Sequence, residues 1–391
     1  MHISQMRVRL ALLIAVMVVA ATGHAHAADR FVSTAGSDTA NDCQSSISPC
    51  ATIGRALTQA ASGDTVNVAG GRYEEPLRIV TPIALTFLGG WDGAFTGRNP
   101  RGNPGVVRAI GPEGRRDRAW FIRGGDISVT IDGFTLADGD GDNGDYCCGG
   151  GGLLVIVDGG PITLAVRDTT ITGNQATDDL GNSGGGVALR ALGAGGSLNA
   201  AFTDVTFSRN RSNNGGGLYV DGPDTTVSLT NAVFTRNRAA REGFLFTPGA
   251  AMNVALGATA NLVNVTMVKN RGRVSVAHVT HATMNLTNTI VWQKRGMVPT
   301  DLFVEGATGV PSVANVDHSD VGMVTTSGGT FNDLGGNLSV DPRVRSDGTL
   351  RGGLAPVIDV GTCTGAPTTD FEGDARPSGA GCDMGADEFV P

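Results

Sequence analysis

A nine-residue phrase that returns six times restricts this chain to a repeat architecture. It reads TIDGFTLAD at 130, VRDTTITGN at 166, FTDVTFSRN at 202, LTNAVFTRN at 229, LVNVTMVKN at 262 and LTNTIVWQK at 286. Aligned on their third residue, the phrases stack Asp132, Asp168, Asp204, Asn231, Asn264 and Asn288 at spacings of 36, 36, 27, 33 and 24 residues. Six residues further on, Asp138, Asn174, Asn210, Asn237, Asn270 and Lys294 form a second column. Apolar residues alternate within a phrase, as Leu164, Val166 and Ile171 do around Asp168, which is the period of a half-buried strand. A third strand follows each glycine run: GGGGLLVIV at 149, GGGVALRAL at 184, GGGLYV at 215 and the weaker GAAMNVAL at 249.

A coil of three short strands cannot bury its own apolar face, so it must stack on copies of itself. The expected fold is all-β: a single-stranded right-handed parallel β-helix with a short N-terminal capping helix and a C-terminal capping tail. Stacked rungs bring like side chains about 4.8 Å apart. The Asn columns are therefore read as hydrogen-bonded ladders rather than catalytic groups. The helix is expected in TIGRALTQAAS, where Ile53, Ala56, Leu57 and Ala60 share one face, and residues 331–391 depart from the repeat and are expected to cover the other end.

Arg7 and Arg9 precede an apolar run from Leu10 to Ala21, and Ala25-His26-Ala27 offers small residues at a cleavage site. Residues 1–27 read as a secretory signal peptide, too short in its apolar part for the roughly 20 residues a spanning helix needs. The chain divides accordingly into a signal peptide (1–27), a β-helix (28–330) and a tail (331–391), with secretion or display at the cell surface expected. The net charge of −8 becomes about −10 without Arg7 and Arg9, which argues against nucleic acid as a partner. Six cysteines in an exported chain can pair. Of fifteen connectivities the local one is preferred, joining Cys43 to Cys50 and Cys363 to Cys382, with Cys147 beside Cys148 left open.

The entry segment FVSTAGSDTANDC…PCATIGRALTQAASGDTVNVAGGRYEE resembles the first coil of exported parallel β-helix proteins, pectate-lyase-like ones included. At the other end GGNLSVDPRV, LAPVIDVG and DFEGDARPSGAGCDMGADEF resemble the C-terminal module of choice-of-anchor Q domain proteins. The FSRN and FTRN repeats and GGG-apolar runs are similar to the FxxN and GGA motifs of polymorphic outer-membrane adhesins. These resemblances imply an exported β-helix; a fold of this kind hosts many functions.

Four groups of residues carry chemistry. Arg209, Arg236 and Lys269 precede the Asn column and Arg211, Arg238, Arg271 and Arg295 follow it, which would make two cationic files suited to a polyanionic polysaccharide. Asp138, Asp140, Asp142 and Asp145 in ADGDGDNGD offer hard oxygen ligands for calcium, although the spacing is not that of an EF-hand. Asp317 and His318 in NVDHSD are catalytic candidates in a stretch that resembles one of pectate lyases without its aromatic residue, whereas the GHG and RIK motifs expected of polygalacturonases are absent from the sequence. His278 and His281 flank a strand-like segment and are read as structural or exposed. The expected function is a non-catalytic, adhesin-like glycan-binding module, with a calcium-assisted lyase of uronate polymers as the alternative.

Overall fold

The structure is a computed structural model that describes residues 27–391, apart from 111–114, 143–148, 178–182, 192, 194, 240–248, 294–298 and 308. The segment up to residue 26, read above as a signal peptide, and the residues Asp145, Cys147, Cys148, Lys294 and Arg295 lie outside the described residues.

Among the described residues, three parallel sheets run the length of a right-handed β-helix. The first has eleven strands, from Asp29–Val32 to Thr330–Asp333, and includes Ile127–Asp132, Ile162–Arg167 and Leu198–Thr203. The second has nine, from Gly71–Glu74 through Thr170–Thr172 and Thr206–Ser208 to Asp320–Val321. The third also has nine, from Leu77–Ile79 through Val187–Ala191 and Leu218–Asp221 to Val324–Ser327. Each coil visits the sheets in that order, and every strand pairs in parallel with its counterpart one coil away, as Leu164 does with Val129 and Ala200. Alternation then turns Ile162, Leu164 and Val166 inward and Thr163, Ala165 and Arg167 outward. Inside, aromatic side chains stack between rungs, Phe207 on Phe234 with centroids 4.3 Å apart and planes within 4°.

The polar columns behave as ladders. Asn174, Asn210, Asn237 and Asn270 have no exposed surface, and each Nδ2 donates to the Oδ1 of the next at 3.0 Å as far as Asn270. The same oxygens accept the backbone amides of Asn174, Asn210 and Asn237. The register corrects the first repeat by one residue. Arg167 pairs with Asp132, so Gly133, at φ +82°, and not Asp132 stands below Asp168 at the corner. In the second column Gly139, whose amide donates to Asn174 Oδ1, takes the place assigned to Asp138. Asp168, Asp204, Asn231, Asn264 and Asn288 share positive φ, a conformation that Asp and Asn tolerate better than most residues.

The helix Ile53–Gln59 buries Ile53 and Ala56 in the core, with Leu57 and Ala60 packed alongside, as expected of an end cover. Its first two amides donate to the Glu75 carboxylate at 2.8 Å. The start of the tail adds the last rung at the opposite end, where Phe331 packs against the core and Leu338 bridges Asp320. Thr330–Asp333 completes the first sheet, and the chain then turns back along the flank. There Val344, Leu350, Ala355, Val357 and Met384 cover Val268 and Ile290 on the outer face of the second sheet. Asn231, Asn264 and Asn288 donate to the tail carbonyls of Thr369, Gly385 and Thr362. The reason is in the strands: Thr266–Val268 and Ile290–Val291 are apolar on both faces, so the outer face needs a cover too. Disulfides join Cys43 to Cys50 and Cys363 to Cys382.

Candidate functional site

Six of the seven cations of the expected files lie among the described residues. Arg209, Arg236 and Lys269 occupy one corner at φ of 56°, 57° and 56°, where the turn into the Asn ladder forces their side chains away from the core. Arg211, Arg238 and Arg271 pair rung to rung beside them, in a narrow strip that begins at Gln175–Ala176. The five arginines are exposed and Lys269 is half-buried. Among the described residues none of the six has a carboxylate within ion-pair distance. Burial, followed by the neighbouring Arg351 and Arg236, lowers the Lys269 pKa, with Asp347 opposing. Like charges held a rung apart repel, so such files gain from an external anion.

The other candidates are placed differently. Asp138 pairs with Arg108, Asp140 accepts from Gln175 Nε2 and the Asp142 amide, and Asp142 accepts from the Thr177 amide and hydroxyl. Protein donors thus already engage these three carboxylates. Among the described residues they form no group of three ligand atoms around one point, whereas Asp370, Glu372 and Asp374 of the tail do. Asp317 Oδ1 lies 2.8 Å from His318 Nδ1 on a half-exposed corner, a dyad with the geometry for proton transfer. His318 occupies the positive-φ position that Asn288 holds one coil earlier.

The sequence did not reveal a buried polar wall on the outer face of the third sheet. The register sets Tyr219, Asn253, His278 and Phe303 on consecutive rungs, with Arg190 and Asp221 in the adjacent column. Arg190 Nη2 binds Asp221 at 3.0 Å and its guanidinium lies 5.2 Å from the Tyr219 ring centroid. Burial is the main cause raising the Asp221 pKa, against the Arg190 charge, and it also holds the Tyr219 hydroxyl protonated far above neutrality. Burial alone pushes His278 down to about 4, so its imidazole is neutral. Glu305 Oε2 stands 3.2 Å from His278 Nε2 but out of line for a hydrogen bond, and among the described residues both ring nitrogens and the Asn253 Oδ1 are buried without one. His278, expected to be structural or exposed, is thus buried among polar groups. The one available signal was a polar residue at alternate positions of successive glycine-led strands.

No protein-family profile matches this sequence, and no curated protein matches it. Among solved structures, the chain is similar to an alginate lyase from Paenibacillus sp. str. FPU-7, at 13% identity and a TM-score of 0.42, over 74% of this chain and 95% of that one. It is also similar to pectate lyase Pel9A, at 12% identity and a TM-score of 0.46, over 94% and 97% of the two chains. Overlays this loose carry no argument about activity.

Proposed function

We propose that this is an exported β-helix protein that binds an acidic polysaccharide along its cationic files, as an adhesin-like surface module. The observation that carries the reading is the pair of files on successive rungs, six cations without ion-pair partners among the described residues on a chain of net charge −8. A solvated face of mixed charge would interleave acids, as happens at Arg123 and Asp158 elsewhere on the body. A linear polyanion lying along the helix axis meets one rung about every 4.8 Å and takes bidentate contacts from arginine. Thermal-shift titration with alginate, pectate and a neutral glucan tests this, since a ligand that binds only the folded state stabilises it and salt weakens a polyanion. The acidic polymers should stabilise the wild type and lose that effect in Arg211→Ala/Arg238→Ala/Arg271→Ala. Equal responses of both proteins to all three polymers would remove the reading.

The half-exposed Asp317–His318 pair favours a second reading, a lyase of uronate polymers. In that reading His318, oriented by Asp317, takes the C5 proton while the bond from C4 to the glycosidic oxygen breaks, and solvent protonates the departing oxygen. Calcium at Asp138, Asp140 and Asp142 is not built into this reading, because those carboxylates already have protein donors. Absorbance of unsaturated products from pectate or alginate, lost in His318→Gln, would support the lyase; retained polymer without product supports the binder.

A further inference from the structure

The flank where the tail folds back holds a cavity of about 650 Å³ that ends the cationic corner file. Its wall on the helix side is Val268, Lys269 and Trp292, and on the tail side Asp341, Pro342, Arg343, Val344 and Arg351. The volume lies within the roughly 300–1,000 Å³ of small-molecule sites. Neither Arg343 nor Arg351 has an ion pair among the described residues, although an amide-to-carbonyl bond of 3.1 Å between their backbones fixes the two segments side by side. Asp341 accepts the Arg343 amide at 2.9 Å, which holds that turn in place. Trp292 is half-buried against the apolar cluster under the tail, so its ring is fixed in the wall.

We propose that this cavity is a discrete subsite for an acidic sugar unit, seated on Trp292 with its carboxylate held by Lys269, Arg343 and Arg351. The proposal rests on the polyanion reading above and specifies the ligand chemistry. Three cations outnumber the one carboxylate, Asp341, in the cavity wall, so the space favours an anion, and the planar guanidinium forks suit a carboxylate. The indole offers an apolar face to the C–H side of a pyranose ring, as amphipathic aromatics do at binding sites. Asp341 in the same wall repels a densely charged anion but can accept a sugar hydroxyl, which selects a singly charged, hydroxyl-rich ligand over a polyphosphate. Periodic files cannot provide this: they track a backbone, whereas the cavity has walls on both sides and can recognise an end or a branch.

The test titrates the mature protein with digalacturonate, cellobiose and inorganic sulfate by calorimetry and by tryptophan fluorescence. Digalacturonate should bind, perturb an emission that Trp292→Phe removes, and weaken at least tenfold in both Arg343→Gln and Arg351→Gln. Cellobiose should give no heat, and sulfate should bind at least tenfold more weakly than the sugar. The stripe variant Arg211→Ala/Arg238→Ala/Arg271→Ala should keep digalacturonate binding, so failure of the stripe and failure of the subsite are separable. No digalacturonate binding, unchanged affinity in both arginine variants with their melting points unaltered, or sulfate binding as tightly as the sugar would each overturn the subsite.

Discussion

Asn237→Ala is the most direct test of what holds the coils in register. Asn237 is fully buried, its Nδ2 donates to Phe207 O at 2.9 Å and Asn270 Oδ1 at 3.0 Å, and its Oδ1 accepts the Asn210 amide at 3.1 Å and Asn210 Nδ2 at 3.0 Å. Truncation strands the Phe207 carbonyl and the Asn210 backbone amide, while Asn270 Oδ1 keeps the Asn237 amide and Asn210 Nδ2 keeps Ile171 O. Two orphaned buried groups at about 1–3 kcal/mol each, with a small cavity, put the loss at roughly 3–5 kcal/mol. Asn237→Asp keeps the shape and the two accepting bonds but turns acceptors against Phe207 O and Asn270 Oδ1. At pH 7 it should cost at least as much as alanine. Asn285→Ala is the control, because Asn285 is half-buried in the ladder on the outer face of the first sheet and donates to Asn261 Oδ1 at 2.8 Å, where water can replace the lost partner. Urea unfolding followed by circular dichroism gives the midpoints. A loss under about 1 kcal/mol for Asn237→Ala, or one no larger than that of Asn285→Ala, would refute the ladder as the register device.

Two further outcomes follow from the flank and its tail. Burial lifts Asp320 to about 7 and Asp301 to about 6, with Asp301 and Asp341 adding to the rise at Asp320. Groups raised in the folded state favour folding at low pH and lose that contribution as pH climbs from about 4 to about 7, so Asp320→Asn should melt above wild type at pH 8 with the gap closing by pH 5; parallel melting curves would remove this assignment. Cys363→Ala/Cys382→Ala opens a loop closed over a separation of 19 residues and should cost about 3 kcal/mol, read as faster proteolysis of the tail while the helix body stays intact. Equal cleavage rates with and without the bond would show that the tail is held by its packing alone.

The fold was legible because its determinants are local and periodic. The Asn174, Asn210 and Asn237 column, the alternating Leu164 and Val166, and the glycine-led strands each repeat at a coil's length, and a coil closes only by stacking. Local cysteine pairs were readable for the same reason, since short loops bring thiols together at little cost. The cationic files were readable as columns, because the Arg211, Arg238 and Arg271 spacing follows that of the ladder. Register at the first repeat was not. A one-residue offset places Gly133 rather than Asp132 at the corner, and only the backbone pairing of Arg167 with Asp132 decides between them. The tertiary structure alone decided what covers which outer face. A strand such as Thr266–Val268 reads as buried on both sides whether a tail, another sheet or a second molecule lies over it, and the return of residues 338–391 along the flank is a long-range contact with no periodic signature. The walled cavity at Lys269, Trp292, Arg343 and Arg351, and the buried His278 wall, exist because side chains far apart in sequence meet on those faces.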